Sequence, residues 1–158
     1  MVINLNAKKF FYEFGREFYK IDAYYAEFAK KSGVQPRLLW VLYALNDGES
    51  HTQKEICETW ILPRTTVNTI VKELESQRYV VLSQIKGKKR EMNVTLTDTG
   101  KAYADEKLAR LYEIEDRLFD SLTDTDKQVI NHLKTLVCGL ERERKNIEIN
   151  FESFLSIK

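Results

Sequence analysis

Between Arg64 and Lys72 the sequence RTTVNTIVK sets an arginine, three threonines, an asparagine and a lysine around apolar residues. These side chains suit nucleic-acid reading. Arginine pairs with guanine, asparagine with adenine, and threonine offers a hydroxyl to bases or phosphates and a methyl to thymine. Arg64 and Asn68 are one helical turn apart, as two side chains directed into one groove are. Further on, KGKKR concentrates Lys86, Lys88, Lys89 and Arg90 on what reads as a single turn. Cations so placed neutralise phosphates, which fixes position, whereas contacts to base edges specify sequence.

The elements that must carry these groups follow from periodicity. Pro63 marks the first turn of a helix running to about Gln77, with Val67, Ile70, Val71 and Leu74 on its buried face. Arg64, Thr65, Thr66, Asn68, Thr69 and Lys72 are left outward. Just upstream, TQKE at residues 52–55 reads as a capping box, Thr52 accepting from the Glu55 amide and Glu55 reaching back. The short helix it opens ends near Thr59, and Thr52 and Gln53 at its start join the candidate contacts. Two short helices in tandem make a helix-turn-helix. Beyond them, Val80 to Ile85 gives one strand. Met92, Val94 and Leu96 alternate with Asn93, Thr95 and Thr97 as its partner. The basic turn is therefore the tip of a β-hairpin.

Longer helices flank this centre. Phe11, Phe14, Phe18, Ile21, Tyr25 and Phe28 recur in steps of three and four along a helix from about Ala7 to Lys31, ended by Ser32-Gly33. Pro36 opens a second helix, Arg37 to Asn46, with Leu38, Leu39, Leu42 and Leu45 in the core, and Asn46-Asp47-Gly48 closes it. After Gly100 the chain is helical to about Ser121. Thr123 and Asp126 then start a final helix whose Ile130, Leu133, Val137, Leu140, Ile147, Phe151 and Phe154 repeat at three and four, interrupted by Arg144. Apolar seams of this kind have no use on a monomer's surface and predict a homodimer through the first and last helices.

Charge is segregated. Residues 60–97 carry seven Lys or Arg against three Glu, whereas the whole chain of 158 residues has a net charge of only +1. The rest of the chain is thus acidic, and the basic surface is confined to the second helix of the pair and the hairpin, the footprint of a nucleic-acid partner. A Lys-rich hairpin tip also keeps a sheet edge soluble, so KGKKR gains its meaning from the helix-turn-helix before it. The longest apolar run, Leu38–Leu45, has eight residues, far short of a membrane span, and the N-terminus lacks a signal-peptide core. Cys57 and Cys138 make no disulfide framework and suit a reducing, cytoplasmic setting as structural thiols. His51 with Glu55 or Cys57 is too small a set for a metal site, and a histidine beside a helix cap is the simpler reading. No phosphate loop, catalytic carboxylate pair or nucleophile motif is present, so neither enzyme nor cofactor is expected.

The ordered pieces TQKE at Thr52, T-V-x-x-x-V-x-x-L-E from Thr66 to Glu75, and LTDTG at Leu96 to Gly100 resemble the MarR family of winged helix-turn-helix regulators. The resemblance covers nearly the whole chain. It implies a mainly α fold with a small β-hairpin wing, a winged helix-turn-helix plus an intertwined helical dimerisation domain. On that template residues 1–34 form an N-terminal dimerisation helix, 35–99 the DNA-binding domain and 100–158 the C-terminal dimerisation helices. It further implies double-stranded DNA as partner, recognition helices in major grooves, wings toward minor grooves, and Arg90 as the wing-tip arginine. A repressor rather than an activator is expected. A small aromatic effector in this family binds between dimer helices and winged domain, which makes Tyr24, Trp40 and Tyr43 candidate lining residues. Lys88 stands where the family's wing aspartate usually pairs with that arginine, and Arg78 stands where a helix-ending glycine is common. The fold also serves as a protein–protein adaptor without DNA, against which the polar helix face and basic wing argue.

Overall fold

The computed structural model describes residues 4–87 and 91–155, with side chains described as far as Ile147. Lys88, Lys89 and Arg90, three of the four cations of the expected wing tip, lie outside the described residues, as do the side chains of Phe151 and Phe154. Along the chain run α1 (Leu5–Lys31), α2 (Pro36–Leu45), β1 (His51–Thr52), α3 (Gln53–Trp60), α4 (Arg64–Ser76), β2 (Val80–Gln84), β3 (Met92–Leu96), α5 (Asp98–Ser121), α6 (Asp124–Lys127) and α7 (Val129–Leu155). This is a mainly helical winged helix-turn-helix with a small antiparallel sheet. The chain divides into two compact units, residues 1–112 and 113–158.

The core of the first unit is built around α2. Leu39, Val41, Leu42 and Leu45 are all buried, with Leu38 only half-buried. A helix apolar nearly all round has more than one face to cover. Here they share one core with Ile56 of α3, Val67, Val71 and Leu74 of α4, Val94 of β3, and Leu108 and Leu111 of α5. Each fully buried aliphatic side chain contributes about 1.5–3 kcal/mol.

Local chemistry sets the boundaries of the helix pair. The Glu55 amide donates to Thr52 Oγ1 at 3.1 Å, while the Thr52 amide and hydroxyl donate to Glu55 Oε2 at 2.7 and 2.9 Å. α3 ends on Ile61 at φ 50°, a left-handed conformation that a β-branched residue rarely takes, and the Leu62 amide donates back to the Cys57 carbonyl at 3.1 Å. The chain reverses within three residues. Pro63 is not in the first turn of the next helix: it stands before it as the N-cap at φ −60°, ψ 135°, so α4 starts at Arg64. The proline carbonyl accepts from the Val67 amide at 3.1 Å.

At its other end α4 closes with a Schellman arrangement. The Tyr79 amide donates to the Leu74 carbonyl at 2.8 Å and the Arg78 amide to Glu75 at 2.9 Å, with Arg78 held at φ 62°. The left-handed cap thus forms without a glycine, and Arg78 bears the steric cost. Replacing it relieves that cost. Arg78→Gly is expected to raise stability by about 1 kcal/mol in a urea denaturation series, with the m-value unchanged. An unchanged midpoint would show that the arginine side chain compensates the strain.

β2 and β3 pair antiparallel from Val80↔Leu96 to Gln84↔Met92, the hairpin expected from the alternation. A further strand, β1, joins the free edge of β3 through His51↔Val94 and Thr52↔Asn93, giving the order β1–β3–β2. Gly100 does not precede α5 but lies inside its first turn, buried. A Cβ there would sit 1.8 Å from the Tyr79 carbonyl oxygen. Its role is close approach of helix to backbone. Gly100→Ala is therefore expected to destabilise the fold by about 1–3 kcal/mol, read as a lowered thermal midpoint. No change would mean that α5 slides freely past Tyr79.

In the second unit Thr123 and Asp126 form the expected reciprocal cap. The Asp126 amide donates to Thr123 Oγ1 at 3.2 Å and the Thr123 amide to Asp126 Oδ2 at 3.0 Å. That cap opens the short α6, and α7 follows after Gln128. Val129, Ile130, Val137, Leu140 and Ile147 of α7 are exposed on the single chain, as are Phe10, Phe11, Phe18 and Ile21 of α1. Among the described residues no helix is long and apolar enough to cross a membrane.

Candidate nucleic-acid interface

The amphipathic register of α4 decides which side chains reach outward. Val67, Ile70, Val71 and Leu74 are buried, whereas Arg64, Thr65, Asn68, Thr69 and Lys72 are exposed and Thr66 is half-buried. The Thr69 hydroxyl donates to the Thr65 carbonyl at 3.0 Å, which fixes its rotamer and leaves its oxygen lone pairs and methyl outward.

Two adjoining hollows give this face its shape. One of about 460 Å³ is lined by Gln53, Lys54, Cys57, Arg64, Thr65, Asn68 and Glu91. The second, of about 350 Å³, shares Gln53, Lys54, Asn68 and Glu91 and extends to Leu82 and Met92 at the base of the hairpin. The start of α3, the N-terminal half of α4 and the wing base therefore converge on one concave surface. Lys86 is exposed in the turn after β2, where Gly87 takes φ 85°. That left-handed residue is what a tight turn demands and what glycine supplies without strain. Lys88, Lys89 and Arg90 follow in sequence, outside the described residues.

Thr52, expected among the contacts, lines the second hollow with its polar atoms engaged. It is buried, with its hydroxyl and amide both engaged by Glu55, so it fixes the first turn of α3 instead of presenting a hydroxyl. Gln53, half-buried, lines both hollows. Two cations escape a reading of the sequence. Lys54 lines the same two hollows, and Arg37 shares a smaller one of about 290 Å³ with Thr65, Thr66 and Thr69. Lys54 sits inside the TQKE motif, beside a residue already singled out. Arg37 gives no local signal, because only the packing of α2 against α4 brings it near. Glu91 adds a negative edge at the wing base.

Among the other groups, burial pushes the Cys57 thiol up and Arg64 offsets part of that rise, so the group stays a protonated, inert thiol. Cys138, expected to be a small buried hydrophobe, is instead exposed on α7. His51 Nε2 lies 2.9 Å from Asp47 Oδ2, and no cluster of three metal-ligating groups occurs among the described residues.

Of the three aromatic candidates, Trp40 and Tyr43 lie together, ring centroids 5.9 Å apart, within a cluster that includes Trp60 at 5.0 Å and Tyr25 at 4.8 Å from Trp40, and Tyr112 at 5.5 Å from Tyr43. Tyr24 is 61% exposed and takes no part in that cluster. The helix turns Tyr25 inward in its place, since neighbouring residues on a helix point in different directions.

Comparison with known proteins agrees with this architecture. The MarR family profile matches residues 32–91. The HTH-type transcriptional regulator SarZ of Staphylococcus aureus is 28% identical over 100 residues, 61% of this chain and 65% of its own length. The match thus spans about two thirds of that regulator. Among solved structures, NMB1585, a MarR family regulator from Neisseria meningitidis, is similar at a TM-score of 0.76 and 27% identity, covering 85% of this chain and 95% of that one. MepR of S. aureus in its DNA-binding conformation shares the fold at a TM-score of 0.69 and 17% identity, covering 83% and 98%.

Proposed function

We propose that this chain, which belongs to the MarR family, is a homodimeric transcriptional regulator that binds a near-palindromic DNA site. The observation that carries this reading is the exposed polar face of α4, Arg64 to Lys72, flanked by the start of α3 and the base of the hairpin on one concave surface. Arg64 and Asn68 read base edges in a major groove, with Thr65, Thr66, Thr69 and Gln53 beside them. Lys72, Lys86, Lys88 and Lys89 neutralise phosphates, as do Arg37 and Lys54 at the rim. Arg90 enters a narrow A·T-rich minor groove, whose negative potential attracts arginine.

Dimerisation through residues 1–34 and 100–158 supplies the second half-site, and it covers the apolar side chains of α1 and α7 that the single chain leaves in water. The protein acts as a repressor, released when a small effector favours an arrangement that cannot span both half-sites. Selecting duplexes from random DNA at a stated salt concentration tests this reading. The expected product is an inverted repeat with half-sites about one helical turn, roughly 34–36 Å, apart. Failure to enrich any sequence would overturn it.

A further inference from the structure

A cavity of about 270 Å³ opens inside the first unit between the end of α2, the turn before β1, and α3. Its walls include the rings of Tyr43 and Trp60 and the side chains of Asp47, Glu55 and His51, with Ile56 at its apolar side. Neither Lys nor Arg is among the described residues that line it. Tyr43 and Trp60 stand with ring centroids 5.6 Å apart at 73°, so the two rings form a corner rather than a closed stack.

We infer that this cavity is the effector site and that its ligand is a small organic cation, an aromatic or alkyl ammonium, not an aromatic acid. Aromatic walls with carboxylates nearby are the chemistry that holds quaternary ammonium groups, through the negative ring faces and Coulomb attraction. The Asp47 carboxyl is held below the usual carboxylate range, chiefly by the hydrogen bond from His51, so it stays anionic at neutral pH. Glu55 accepts from the Thr52 amide and hydroxyl. A carboxylate ligand would approach two carboxylates, already held by His51 and Thr52, that attract an ammonium instead.

The cavity is also wired to the proposed DNA face. His51 belongs to β1, which pairs with Val94 of the wing strand β3. Glu55 closes the cap that starts α3 by accepting from Thr52, and Gln53 and Lys54, which lie between the two, line the DNA-facing hollows. A cation drawn against Asp47 and Glu55 therefore acts on the segment 51–55 and, through it, on both wing and α3. This regulation rests on the DNA-binding reading above, but the site itself can be tested without DNA.

The probe is benzyltrimethylammonium, compared with its neutral carbon isostere neopentylbenzene and with benzoate. The readout is the fluorescence of Trp40 and Trp60, the only two tryptophans. Saturable quenching by the cation is expected, with the isostere at least about tenfold weaker and benzoate without effect. Asp47→Asn should weaken the cation about fivefold or more and leave the isostere unchanged, with circular dichroism confirming the fold. At saturation the affinity of the wild type for its selected duplex should fall about fivefold or more. Benzoate binding as well as the cation, no saturable quenching, or an unmoved Asp47→Asn affinity would each overturn the ligand class. Bound cation with unchanged DNA affinity would overturn its regulatory role, whereas absent DNA binding without any ligand would fault the functional reading instead.

Discussion

Ile147→Asp is expected to abolish the dimer. On the single chain Ile147 is 66% exposed, and it continues the row formed by Val137 and Leu140 on α7. In the proposed homodimer, burying a row of such side chains against a second copy contributes about 1.5–3 kcal/mol apiece, enough to favour association of a chain that also leaves Phe10, Phe11 and Phe18 in water. In the proposed C2 dimer an aspartate at this position enters the interface twice. Each buried, unpaired carboxylate costs several kcal/mol, so the dimer dissociation constant should rise at least about 10⁴-fold. Sedimentation at micromolar concentration reads the outcome as monomer or as unfolded chain. A variant that sediments as a dimer like the wild type, or a wild type that is a folded monomer, would show that α7 meets no partner.

Arg64→Ala carries the second large effect. Arg64 stands in the first turn of α4 and opens onto the hollow shared with Asn68 and Gln53. A bidentate arginine–guanine pair discriminates by about 1–3 kcal/mol. A palindromic site loses it in both halves, so affinity for the selected duplex should fall by about 2–6 kcal/mol and change little on scrambled DNA. Lys86→Ala should behave differently, weakening all duplexes alike and flattening the salt dependence by about one unit for each phosphate no longer neutralised. The comparison separates reading from anchoring. If both variants weaken selected and scrambled DNA equally, α4 does not read bases.

The features legible in the sequence are those set by neighbours along the chain. The Thr52–Glu55 cap, the buried stripe of α4 and the alternation of β3 each rest on residues within a few positions of one another. They place the elements around the candidate surface to within a residue or two. What escaped depends on partners distant in sequence. β1 has two residues, too few for any period, and exists because the edge of β3 is free to accept it. Gly100 reads as a helix breaker until the Tyr79 carbonyl is seen against it. Thr52 looks available from its type alone, yet the cap that makes it recognisable also consumes its hydroxyl. The aromatic cluster admits Tyr25 and Trp60 where the sequence offered Tyr24, since a one-residue step on a helix turns a ring by about 100°.

The measurement closest to the central claim is the affinity of the wild-type dimer for its selected duplex and for a scrambled one across a salt series. A regulator built as described should hold the selected duplex about 10³-fold or more tighter than the scrambled one. Both affinities should fall steeply as salt rises, because phosphate contacts release counterions. Equal affinity for the two duplexes, or binding indifferent to salt, would contradict the account and leave the winged helix as a surface for protein partners.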